Sequence, residues 1–173
     1  MPIVAFTGNI GTGKTLEASK YAYLLHRGTG VPVSANYGLR FAHRLWSLND
    51  LYAARSGVVV LDEAQTILDS RAFARQSVRD VTQFLAQTRK FFLHLVLVTQ
   101  YIHQLDKRAR GYVDSLVICR KRGQRGHYRT QLDFYVPAVV VEDTFVKVGS
   151  KSLPHHRFWY SLYDTFEEVT VLS

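Results

Sequence analysis

Gly8-Asn9-Ile10-Gly11-Thr12-Gly13-Lys14-Thr15, read straight after the apolar run Ile3-Val4-Ala5-Phe6, decides the fold. The run is short and continuous, as a strand buried on both faces is. The stretch after it satisfies G-x-x-x-x-G-K-[ST] at every defined position. Glycines let backbone N–H groups turn inward and approach a phosphate closely, where a Cβ would obstruct them. The helix that follows points its N-terminus, and the favourable end of its dipole, at the same anion. Strand, glycine turn and helix predict a phosphate cradle made of Gly8, Asn9, Ile10, Gly11, Thr12, Gly13, Lys14, Thr15 and Leu16. In such a cradle Lys14 reaches the β- and γ-phosphates and the Thr15 hydroxyl ligates Mg²⁺.

The second decisive stretch is Val58-Val59-Val60-Leu61-Asp62-Glu63, an apolar strand delivering carboxylates to its C-terminal end. Ligands of an open α/β sheet bind at that edge. Asp62 is expected to hold Mg²⁺, and Glu63 to polarise the water that attacks the γ-phosphate. Leu97-Val98-Thr99-Gln100 ends a neighbouring strand in an amide; Gln100 is placed to bond the γ-phosphate or that water. The N-K-x-D reader of guanine is missing, and nothing in the sequence requires the arginine-rich lid and acceptor pocket of a small-molecule kinase. ATP with Mg²⁺ is therefore the expected ligand, and hydrolysis the expected reaction.

Outward from these stretches, helical and strand patterns alternate. Leu16 to His26 reads as a helix stopped by Gly28 and Gly30, and Val31 to Ala35 as a second strand. Ser47 to Arg55 reads as a short capped helix, Ser77 to Lys90 as a longer one, and Asp106 to Tyr112 as another. Leu95 to Val98 and Ser115 to Cys119 are the fourth and fifth strands. The tail is expected to add antiparallel strands, from Tyr128 to Val136, Ala138 to Val141 and Phe158 to Tyr163. The expected fold class is α/β, a three-layer sandwich on a mainly parallel sheet, and with the loop motif it resembles the P-loop NTPases of the ASCE, RecA-like kind. Residues 1–173 form one ATPase domain, with 1–122 as nucleotide-binding core and 123–173 as a β extension.

Composition agrees. The chain has 173 residues, 47% hydrophobic and 21% charged, which suits one globular domain rather than a disordered segment. Its single cysteine, Cys119, lies in an apolar run, so no disulfide partner exists and a buried, inert thiol is expected. No apolar stretch approaches the ~20 residues of a membrane span, and no secretory signal opens the chain. A soluble, intracellular protein is expected. The net charge of +8 points to a polyanionic partner, nucleic acid before a membrane surface.

Arg71, Arg75 and Arg79 recur every four residues, with Arg89 and Lys90 further on. Such a stripe either reaches a neighbouring subunit's site, with Arg89 as the trans-acting finger, or touches a nucleic-acid backbone. Arg120-Lys121-Arg122 with Arg125 and Arg129, and Lys107, Arg108 and Arg110, form two basic clusters suited to phosphates. His155-His156 has no partner at metal-ligand spacing and reads as a loop.

With cradle, acidic pair and strand-ending glutamine in place, the chain resembles the FtsK–HerA branch of P-loop motors. Within that branch it is similar to viral genome-packaging ATPases and to the zonular occludens toxin-like assembly ATPases of filamentous phages. The resemblance rests on Gly8 to Thr15, on Val60-Leu61-Asp62-Glu63-Ala64-Gln65 and on Val98-Thr99-Gln100. It implies a sheet in the order 5-1-4-3-2, a ring homo-oligomer (often a hexamer), capsid or membrane-protein partners, and ATP-driven movement of DNA. Packaging of a viral genome into a procapsid is the first expectation, and phage assembly and extrusion at the inner membrane the alternative. The toxin-like phage proteins usually continue into a membrane-spanning segment that these residues do not contain.

Overall fold

The computed structural model describes residues 2–69, 76–123, 128–139, 141, 143–154, 157–163 and 169–172. They build one eight-stranded sheet in the order β3-β2-β4-β5-β1-β6-β7-β8. Its strands are β1 (Ile3–Thr7), β2 (Val33–Ala35), β3 (His43–Arg44), β4 (Gly57–Leu61), β5 (Leu93–Val98), β6 (Ser115–Arg122), β7 (Arg129–Pro137) and β8 (Phe145–Pro154). All pairings from β3 to β6 are parallel, and β7 and β8 extend the sheet antiparallel. The five strands read from sequence are β1, β2, β4, β5 and β6, and their order is the one the resemblance implies.

The parallel centre is buried on both faces, so its strands are apolar throughout while their side chains alternate between two cores. Ile3, Ala5, Val59, Leu61, Leu93, Leu95 and Leu97 face the helices α2 (Leu48–Ala53), α3 (Gln76–Gln87) and α4 (Lys107–Arg110). Val4, Phe6, Val58, Val60, Val96 and Val98 face α1 (Lys14–Thr29). On α3, Val81, Phe84 and Leu85 follow the three- and four-residue spacing that makes one apolar stripe.

Local signals set several boundaries. Ser47 caps α2 in a reciprocal box: its hydroxyl accepts from the Asp50 N–H, while the Asp50 carboxylate accepts from the Ser47 N–H. Gly30, left-handed at φ 72°, closes α1 and donates its N–H to the His26 carbonyl. Gly28 does not stop that helix, which runs through it to Thr29.

The tail departs from expectation in two places. Ala138, Val139 and Val141 lie outside any strand; the chain reverses there, with the Ala138 N–H bonded to the Thr144 carbonyl, and the last strand is β8. Phe158 to Tyr160 belong to a one-turn helix, α5 (Arg157–Tyr160), instead of a strand. Phe158 and Trp159 each lie 5.9 Å from Tyr23 of α1, so the aromatic run packs onto a helix rather than a sheet. Arg71, Arg75, Arg125, His155 and His156 lie outside the described residues. Among those described, no helix is long and apolar enough to cross a membrane.

His94 is the polar interruption in β5. It is buried, its Nε2 lies 3.0 Å from the Tyr21 hydroxyl, and burial pushes its pKa down to about 4. The unfolded chain therefore takes up the proton first as pH falls. Stability is expected to drop by about 3 kcal/mol between pH 6.5 and 4 on this account. Urea midpoints across that window should fall less steeply in His94→Gln; parallel slopes would reject the assignment.

Candidate functional site

The C-terminal ends of β1 and β4 bring the cradle and the acidic pair together. Gly8, Gly11 and Gly13 all have positive φ, the last opening α1. The Asn9 carbonyl is the hub of the loop, accepting from the Thr12 N–H at 3.3 Å, the Thr12 hydroxyl at 2.8 Å and Lys14 Nζ at 3.1 Å. The ammonium is thus folded back over the loop. It has two further protons for an anion.

A Cβ at Gly8 would stand 2.3 Å from the Cys119 carbonyl oxygen, so the loop lies directly against β6. With φ at +141°, Gly8→Ala is expected to cost about 2 kcal/mol or more and to weaken phosphate binding. An unchanged denaturation midpoint would contradict this packing. Cys119 itself is buried, and burial raises its thiol to about 12, as expected of an inert cysteine.

Asp62 directly follows β4 and meets Thr15 across the cradle, the Thr15 hydroxyl donating to Oδ2 at 2.9 Å. Oδ1 accepts from the Glu63 N–H at 2.9 Å. Burial nevertheless raises the Asp62 pKa to about 6, against the lowering effect of these bonds and of Lys14; the Glu63 charge pushes it the same way as burial. A buried carboxylate so poorly compensated, next to a hydroxyl, is an all-oxygen donor pair that fits a hard divalent cation. No group of three or more His, Cys, Asp or Glu side chains among the described residues offers a rival metal site. Glu63 adopts φ 48°, rare for a residue with a Cβ, and its carboxylate accepts from Gln65 Nε2.

Asn36, not singled out from sequence, clamps this strand end. Its side-chain amide donates to the Asp62 carbonyl at 2.9 Å and accepts from the Asp62 N–H at 2.8 Å. It also holds the tail, donating to the Thr170 carbonyl at 3.1 Å. Asn36 follows β2 directly, and a polar residue at a strand's C-terminal end was the available signal. The rule that selected Asp62 and Gln100 applies equally to it.

A cavity of about 410 Å³ lies over the cradle. Gly11, Gly13, Lys14, Thr15, Leu16, Asp62 and Glu63 line it, so most of the predicted set converges there. Ile10 is 82% exposed at the loop tip, outside this lining. Gln100 is also outside the lining; its carbonyl accepts from the Gly8 N–H at 3.1 Å, tying β5 to the loop through the backbone. Beside it the Tyr101 hydroxyl donates to Asn9 Oδ1 at 3.2 Å. Arg89 sits in the 3-10 turn Thr88–Phe91, before the first residue of β5 and so at the end of the sheet away from this cradle. Its side chain lies outside the described residues.

The zonular occludens toxin (Zot) family profile matches residues 39–168. The chain is 28% identical over 148 residues to the Gene 1 proteins of Enterobacteria phage I2-2 and Salmonella phage IKe, covering 70% of this chain. It spans about 40% of the length of these curated relatives. In fold it is similar to the N-terminal domain of zonular occludens toxin from Neisseria meningitidis, with TM-score 0.69, 21% identity, and 94% of this chain and 98% of that one covered. It is also similar to the genome packaging NTPase B204 of Sulfolobus turreted icosahedral virus 2, with TM-score 0.59, 13% identity, and coverage of 88% and 95%. B204 is known in complexes with ATP-gammaS and AMPPCP. The profile match covers well over half of the sequence, and the chain belongs to the zonular occludens toxin (Zot) family.

Proposed function

We propose that this chain is the ATP-hydrolysing motor part of a phage protein that moves DNA during assembly and extrusion at the host inner membrane. It works as one nucleotide-binding unit over residues 1–173, with 1–122 as its core, in a ring of copies. The observation that carries the reading is the convergence of Lys14, Thr15, Asp62 and Glu63 on one cavity, with Thr15 and Asp62 2.9 Å apart. The ATP analogues bound by B204, which has a similar fold, support ATP as the ligand.

In this reading the loop amides and Lys14 hold the β- and γ-phosphates, and Thr15 and Asp62 would hold Mg²⁺, which would supply positive charge to the transferring group. Glu63 accepts a proton from the attacking water as its oxygen bonds to the γ-phosphorus and the bond to the bridging oxygen breaks. ADP and inorganic phosphate leave. As a finger, Arg89 would serve the site of a neighbouring copy, because it precedes β5 while its own cradle follows β1.

DNA is favoured as cargo by the outer sheet. Arg120 and Arg122 of β6 share one face with Arg129 of β7, as the pairing with Gln131 requires, and the bulge at Phe134/Tyr135 brings Lys147 of β8 onto the same face. Asp133 is the one carboxylate on that face among the described residues of these strands. It is buried and met by Arg120 at 3.1 Å and Lys147 at 2.8 Å. Hydrogen bonds from Lys147, Ser150 and Gln131, in that order, hold its carboxyl below the usual range against its burial. Arg122 and Arg129 are fixed by Gln131 and Ser152 with their guanidinium groups exposed. Such an array suits phosphates without reading bases.

The test is phosphate release with and without DNA. Single-stranded DNA is expected to stimulate turnover severalfold at low salt. The Arg122→Ala/Arg129→Ala variant should lose that stimulation. Its slope of log affinity against log salt should fall by about 0.7 for each DNA phosphate the variant no longer neutralises. Turnover indifferent to DNA in an assembled ring would end the translocation reading. The packaging alternative rests on the likeness to B204. It predicts instead that duplex DNA is the better stimulant.

A further inference from the structure

The cavity over Lys14 extends past the groups that phosphates need. Beyond the cradle it is walled by Tyr37, Lys121, Tyr128, Tyr160, Tyr163 and Val169, all but Tyr37 from the last third of the chain. Tyr37 is already engaged: its hydroxyl lies 2.9 Å from Ser19 Oγ and its ring stands edge-on to Tyr163 at 6.3 Å. It is a fixed wall. At Tyr128 the Lys121 ammonium stands over the ring, with Nζ 3.6 Å from the centroid. Tyr160 is 44% exposed and lines the same cavity as Lys14 and Leu16. Phenol rings, one ammonium and a valine suit a flat aromatic ring with a polar rim better than they suit more phosphate.

We infer that this outer half is a nucleoside subsite, in which the base of the bound nucleotide packs among Tyr128, Lys121 and Tyr160. The inference rests on the reading of the cradle as a nucleoside-triphosphate site. It gives the C-terminal extension a part in nucleotide binding that the loop motif does not indicate. It also makes β6 two-sided. Lys121 faces the nucleotide cavity, while Arg120 and Arg122, one residue either side, face the opposite surface with the cationic array. Base occupancy and cargo then act on the same strand.

Calorimetric titrations of ATP and of inorganic tripolyphosphate, both with Mg²⁺, separate the base from the phosphates. In Tyr128→Ala and Tyr160→Ala, ATP affinity is expected to fall about 5- to 100-fold while tripolyphosphate affinity stays within about twofold of wild type. Tyr128→Phe, which keeps the ring, should bind ATP nearly as wild type does. Unchanged ATP affinity in both alanine variants overturns the subsite. So does a parallel loss of tripolyphosphate, which would assign these rings to the cradle. Wild-type protein binding tripolyphosphate as tightly as ATP would leave the cradle intact and remove the subsite. Binding of neither would remove both.

Discussion

Lys14→Ala is expected to reduce nucleotide turnover about 10³-fold, to the background of the assay, with the fold intact. The residue is only 8% exposed, yet its ammonium has a single hydrogen-bond partner among the described residues, the Asn9 carbonyl of its own loop. A buried cation with two protons to spare is poorly satisfied until an anion arrives. Removing it deletes the donor aimed at the charge that builds on the γ-phosphoryl oxygens, and so acts most on the transition state. Glu63→Gln is the informative contrast. It preserves shape and hydrogen bonding, so nucleotide should bind as before while turnover collapses, since an amide accepts no proton from water. Phosphate-release rates and equilibrium titrations on both variants decide the matter. If Lys14→Ala hydrolysed ATP within a few-fold of wild type, the cradle would not be the reacting site.

The central fold and the cradle were legible because their signals are local. A β-branched run such as Val58–Val60 can be little else than a buried strand, and the residue that follows Leu61, at the sheet's C-terminal edge, is Asp62. Thr15 and Asp62 are 47 positions apart, yet each is fixed by its own motif, so their meeting at 2.9 Å could be expected. The tail was less legible because its partners are distant. Phe158 and Trp159 look like strand residues until Tyr23 of α1 is seen beside them. Val139, almost wholly exposed, has the propensity of a strand residue and lies in a reversal whose Asp143 is left-handed at φ 58°. There, tertiary context outweighs β-propensity. Gln100 shows the limit of positional reasoning. Its strand end does lie beside the loop, but the group that touches the loop is its carbonyl, which every residue carries.

Asp62→Asn is expected to make the protein more stable and nearly inactive at once. Burial raises the Asp62 pKa from 3.8 to about 6, so at neutral pH the folded state holds a carboxylate that it solvates worse than water does. The sign follows from proton counts. Between the two values the folded state binds more protons than the unfolded one, so stability falls as pH rises through this window. Above pH 6 the full cost, about 3 kcal/mol, is present; below about pH 4 it is gone. An asparagine keeps the bond from the Glu63 N–H and can donate to the Thr15 hydroxyl, while carrying no charge to desolvate. Without metal or nucleotide at about pH 7.5, Asp62→Asn should therefore melt about 5–10 °C above wild type, and the gap should close towards pH 4. Mg²⁺ with a non-hydrolysable ATP analogue should narrow it too, by stabilising wild type more than the variant. Turnover should fall about 100-fold or more, because the neutral amide replaces the anionic half of the cation site. A variant melting below wild type under these conditions would mean that the carboxylate is well compensated where it lies. The reason for assigning it a cation would go with it.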